Sequence, residues 1–213
     1  MDEQVVTLPE ELLLLAIEPA TGRTRTQMSY IQLGVAGAVL AELEAAGRIS
    51  EQQGKIVVRD KYPTGDPVLD DVLAMLVARG GEVRLRGWVK GASRRVTDLY
   101  LRRLMKLGMI RDEKRKALGI FPYHRYPADG TDWSTPAVVR LGAAGEAFFP
   151  DPRNRVLAGL VSATDLARPL FPGSGARQLR KTMRQLARGQ WHTLAVERAV
   201  RSEKSASASG GGG

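Results

Sequence analysis

Apolar residues in this chain recur mostly at helical spacing, in blocks separated by glycine and proline. The first block, Leu8–Ile17, follows Thr7, with Pro9 in the first turn and Glu10 three residues on, the spacing of a capping box. Leu12, Leu13, Leu14 and Leu15 are consecutive. Four neighbours cannot share one stripe, so this helix is expected to be buried on most sides. After a turn over Pro19–Arg23, a second helix is read from Tyr30 to Ala46, with Ile31, Val35, Leu40 and Leu43 on its apolar face and Gly47 at its end. The period then drops to two, giving short strands at Arg48–Ser50 and Lys55–Arg59 around Gln53-Gly54. Leu69, Val72, Leu73, Leu76 and Val77 mark a third helix, closed by Gly80-Gly81. Asp66, Asp70 and Asp71 lie at its start, where the helix dipole favours negative charge.

The next helix is read from Ser93 to Leu107, followed by a second hairpin over Met109–Tyr126. Asp129–Pro136 reads as a surface loop, and helices resume over 141–148, 154–166, 174–187 and 191–201. The pattern predicts a mainly α fold: one globular multi-helix domain over residues 1–201 with two short β-hairpins. Residues 202–213, all but exhausted of apolar side chains, are expected to form a disordered Ser/Ala/Gly tail.

Composition narrows the function. The chain has 213 residues, enough for a core without covalent staples, and no cysteine, which excludes disulfides, thiolate metal sites and a cysteine nucleophile. Met1-Asp2-Glu3 is acidic where a secretory leader would be basic. The longest apolar runs, Leu12–Ile17 and Val35–Leu40, fall well short of the about 20 residues that span a bilayer. A cytoplasmic location with at most peripheral membrane contact is expected. The net charge of +9 is concentrated: Glu82–Arg125 holds thirteen Lys/Arg against four acids, and elsewhere the signs cancel. Such a surface asks for a polyanionic partner.

Catalytic chemistry finds little support. His124 and His192 are far apart and neither has a partner at metal-ligand spacing. No phosphate-binding glycine loop or nucleophile elbow occurs, so no enzyme activity, catalytic residue, metal or cofactor is expected. The basic helix is more informative. Arg95, Arg102 and Lys106 share a stripe, Arg94 and Arg95 lie at the expected helix start where backbone N–H groups also welcome an anion, and Arg103 points into the apolar arc and needs a buried acid. Two partners fit. A winged helix would place the Arg94 helix in a DNA groove with the following hairpin as its wing. An anionic lipid surface would take the same cations while Ile120, Phe121 and Tyr123 dip into the interface. The aromatic hairpin could equally serve packing or self-association.

Four stretches carry a resemblance to a known family: Thr7–Leu15, Gly34–Leu43 with Gly47-Arg48-Ile49, Pro63–Asp70, and Asp151-Pro152-Arg153 followed by Leu157–Leu166. Together they resemble the Golgi phosphoprotein 3 family over nearly the whole chain, with Pro63-Thr64-Gly65-Asp66 the most specific part. The arginine bias and short form are similar to those of bacterial members. The resemblance implies a helical domain that binds phosphatidylinositol 4-phosphate at a basic pocket, and a hairpin, here about 111–126, that touches the membrane and mediates homo-oligomer formation. Family pocket positions held by a tryptophan and an arginine fall on Gln27 and Ala36, and two further basic positions fall on Arg94 and Thr97. With only Arg94 kept, the resemblance leaves Arg95, Lys90 and Arg25, beside Arg102 on the stripe, as the candidate headgroup ligands.

Overall fold

Every residue of helix α1 (Leu8–Ala16) is buried, including Glu10 and Glu11. The computed structural model describes residues 6–117 and 121–209, with backbone only at 117, 121, 122 and 209. Its capping box is closed: Thr7 N and Thr7 Oγ1 both donate to Glu10 Oε2 at 2.7 Å. The two buried carboxylates are met by arginines from distant elements, Glu10 by Arg103 Nε at 2.8 Å, and Glu11 by Arg140 and by Arg153 Nη1 at 2.5 Å.

Around α1 the chain wraps α2 (Met28–Ala45), α4 (Leu85–Lys106), α5 (Ser134–Glu146) and α6 (Pro152–Ala163). Helix α2 also packs on α9 (Trp191–Ser209), and the approach is close: a Cβ on Gly37 would lie 2.4 Å from Val196 Cγ2. Helix α8 (Arg177–Gly189) packs on α6 and α9, and the four-residue α7 (Ala167–Leu170) links α6 to it. Helix α9 runs through Ser209, so Ser202–Ser209 of the expected tail are helical.

The first hairpin, β1 (Ile49–Gln52) with β2 (Lys55–Val58), carries a third strand that the periodicity did not suggest. Helix α3 (Pro67–Val77) ends, Gly80 and Gly81 turn at positive φ, and β3 (Glu82–Arg84) returns antiparallel to β2 with Ile56 opposite Val83. Three residues are too few for a period of two to register. Asp66 caps α3 by accepting from Val68 N and Leu69 N at 2.9 and 3.1 Å. Asp70 accepts from Thr64 N and Oγ1 at 2.6 and 2.7 Å, and these bonds hold its carboxyl below the usual range. The expected helix-start role of these carboxylates is what the structure shows.

Two helix starts differ from expectation. Helix α4 begins at Leu85 rather than Ser93. Ser93 is buried inside it, its hydroxyl donating to the Lys90 carbonyl at 3.1 Å, while Trp88, Val89 and Ala92 extend the apolar face and Gly87 and Gly91 lie on the solvent side. Helix α5 begins at Ser134 rather than Leu141, because Asp132 Oδ1 accepts from Ser134 N and Thr135 N at 2.8 and 3.0 Å. Pro136 then falls in the first turn, where a missing N–H costs nothing. The second hairpin is as expected, β4 (Glu113–Ala117) antiparallel to β5 (Phe121–Arg125).

Candidate functional site

Helix α4 sets the site by its phase. Trp88, Val89, Ala92, Val96, Thr97, Tyr100 and Leu104 are buried, while Arg94, Arg95, Asp98, Arg102 and Lys106 are exposed. Arg94, Asp98 and Arg102 of that outer face, with the buried Leu101 and half-buried Met105 beside them, line a cleft of about 820 Å³. Loop residues Gly22–Thr24, with Met28 and Gln32 of α2, form the opposite wall, and Tyr123–Tyr126 of the hairpin root close the end. Hairpin and loop are stitched together by Tyr126 N donating to Gly22 O at 3.1 Å and Ala128 N to Pro19 O at 2.8 Å. Gly22 has φ +66°, and a Cβ there would lie 2.4 Å from Pro127 N. Both facts require glycine.

Four arginines, Arg23, Arg94, Arg102 and Arg125, line the cleft against Asp98 and Asp112. Asp112 is already engaged, its Oδ1 lying 2.7 Å from His124 Nδ1. The Arg125 guanidinium sits 5.4 Å from the centre of the Tyr123 ring, a cation–π contact, and its buried Nε has no partner among the described residues. Burial first, then the charges of Asp112 and Asp98, raise the Tyr126 phenol, which stays a hydrogen-bond donor. Arginine forks and phenols around an open concavity suit the oxygens of a phosphate.

The expected site residues separate in space. Arg94 and Arg102 line this cleft. Arg95 and Lys90 are exposed on α4 outside it, with Lys90 Nζ 3.4 Å from Ser202 Oγ, and Arg25 lines a different cleft. Because α4 starts at Leu85, Arg94 and Arg95 lie in mid-helix, and the expected anion-binding helix start is absent at that point. Of the family pocket positions, Gln27 is the exposed N-cap of α2, while Ala36 and Thr97 are fully buried and cannot reach a ligand. Tyr123 stands in the cleft rather than at the hairpin tip; Ile120 and the Phe121 side chain lie outside the described residues. Arg111 and Arg115 are spent on Glu113, at 3.1 and 2.6 Å, which holds that carboxyl below its usual range. Arg23, Gln32 and Arg125 escaped the sequence reading, since only the packing of loop and hairpin against α4 brings them together.

No helix among the described residues is long and apolar enough to cross a membrane, and they include no cluster of three or more His, Asp or Glu able to hold a metal ion. Fold and cleft together define a class: a mainly α domain whose longest described helix and a hairpin root enclose an arginine-lined concavity. Residues 8–202 match the family model of Golgi phosphoprotein 3 (GPP34), and the chain belongs to that family.

Proposed function

We propose that this chain is a non-enzymatic peripheral membrane protein that holds an anionic phospholipid headgroup, with phosphatidylinositol 4-phosphate the first candidate, in the cleft between α4, the 22–24 loop and the root of the β4–β5 hairpin. The observation that carries the reading is the convergence of Arg23, Arg94, Arg102 and Arg125 on one open cleft. Membership of the Golgi phosphoprotein 3 family supports it. In this reading the exposed Lys114 and Lys116 of β4 face anionic lipid, and residues 111–126 meet the bilayer or a second copy of the chain. The protein would work on a cytoplasmic membrane face.

Flotation with vesicles containing or lacking anionic lipid tests this. Reversing two cleft charges, Arg94→Glu with Arg102→Glu, is expected to weaken vesicle binding by more than about tenfold. The circular dichroism spectrum should be unchanged, because both side chains are exposed. Undiminished flotation of the double variant, or salt-sensitive DNA mobility shifts in a protein that ignores vesicles, would overturn the reading.

A further inference from the structure

A second cleft, of about 970 Å³, lies where the end of α6, α7 and the start of α8 meet the 18–27 loop. Five arginines, Arg25, Arg168, Arg177, Arg180 and Arg184, dominate its polar lining, beside Ser162, Asp165 and Ser174. The single acid, Asp165, is paired with Lys204 of α9 and so does little to neutralise the five. Arg177, Arg180 and Arg184 stand three and four residues apart and share one face of α8, adjoining the stripe of the buried Met183 and Ala187. Arg180 Nη1 donates to the Phe171 carbonyl, which ties the preceding loop to the helix. Arg25, Arg168, Arg177 and Arg184 have no ion pair among the described residues, and the Nε of Arg25 is buried without a partner.

A solvated helix face alternates its charges. Here five like charges are held around a concavity, a self-repulsive arrangement that a bound anion relieves. The lining is arginine without lysine, so each cation presents a planar fork matched to two phosphate oxygens. No aromatic side chain lines the cleft, so nothing there would stack a nucleobase, and its apolar side chains are the small Ala167, Pro169 and Pro172. The N-terminal end of α8 opens on the same space through Ser174 and Arg177 and adds its dipole.

We infer that this cleft binds a compact ligand with clustered phosphomonoesters, of the inositol polyphosphate class, either free or as the headgroup of a lipid. The site is separate from the α4 cleft and stands or falls without it.

The test is calorimetric titration of the full chain with inositol hexakisphosphate in the absence of lipid, beside sedimentation with vesicles carrying phosphatidylinositol 4,5-bisphosphate. Three charge-matched double variants are compared: Arg177→Ala/Arg184→Ala in this cleft, Arg94→Ala/Arg102→Ala in the α4 cleft, and Arg79→Ala/Arg198→Ala outside both. All six side chains are exposed, so the folds should survive. The first variant is expected to lose at least about tenfold in affinity for the soluble probe. For the same probe the Arg79/Arg198 pair should stay within about threefold of the parent, the scale of surface electrostatics, and the Arg94/Arg102 pair should lose less than the Arg177/Arg184 pair. A loss confined to the soluble arm assigns a free ligand, and a loss that extends to the vesicles assigns the lipid. Equal weakening in all three variants, no effect of the Arg177/Arg184 pair, or no binding by the parent in either arm would overturn the inference. Equal weakening in all three variants or no effect of the Arg177/Arg184 pair leaves flotation through Arg94 and Arg102 untouched, whereas a parent that ignores the vesicles counts against both sites.

Discussion

Arg103 shows how much a single residue can announce. Its position on the apolar arc of a helix demanded a buried acid, and the structure supplies Glu10, 2% exposed, at 2.8 Å from Nε, together with the half-buried Asp66 at 2.5 Å from Nη1. Burial pulls its guanidinium down, but the Asp66 hydrogen bond and the Glu10 charge outweigh that and leave it raised. Removing the cation strands a buried carboxylate, so Arg103→Met should destabilise the fold by about 3 kcal/mol in urea denaturation. Adding Glu10→Gln should recover part of the loss. His192, 3% exposed, is read differently. Glu44 Oε2 lies 3.6 Å away, beyond hydrogen bonding, and its other oxygen is held by Trp191 Nε1 at 2.6 Å. Burial therefore decides, and it lowers the imidazole from 6.5 to about 4. The unfolded chain binds the proton first as pH falls, so this contribution to stability is complete above about pH 6.5 and is lost on acidification towards about pH 4. At about pH 5 the loss relative to neutral pH should be roughly 2 kcal/mol, and His192→Gln should flatten that slope.

Among the elements, those with long apolar periods were legible and those defined by a few polar contacts were not. Helices α1, α2 and α3, the first hairpin and the second hairpin all stand where their patterns put them. The start of α4 was misplaced because Gly87 and Gly91 look like breakers until their neighbours Trp88 and Val89 are seen to pack inward. That misplacement also set Arg94 and Arg95 together at a helix end. In mid-helix they are one residue apart and therefore about 100° apart, and only Arg94 lines the cleft. Accordingly Arg95→Glu alone should lower vesicle flotation much less than Arg94→Glu alone. Equal losses would mean that α4 acts as a diffuse basic face. The α5 start was illegible for a related reason: one Asp132 side chain, not a periodic run, decides where the helix begins.

For the whole molecule, net charge proved a poor guide to where charge gathers. The surplus in 82–125 was plain, and part of the candidate site with it. Outside that stretch the signs cancel in number, yet between Asp165 and Glu197 there is no acid and there are six Lys/Arg, and folding turns that run into the second cleft. Arg23 was beyond reach, and Arg25, expected beside the α4 cations, lines the second cleft, because alternate residues of one short loop line different clefts. The central position of α1 has a further consequence, in time rather than space. It is made before every other described element, yet its buried Glu11 waits for Arg140 and Arg153, the latter 142 residues on. Contacts of such sequence separation form late and slowly. Until those arginines are made, this leucine-rich segment is an exposed apolar stretch with an unmatched carboxylate, the kind of surface that a holding chaperone covers.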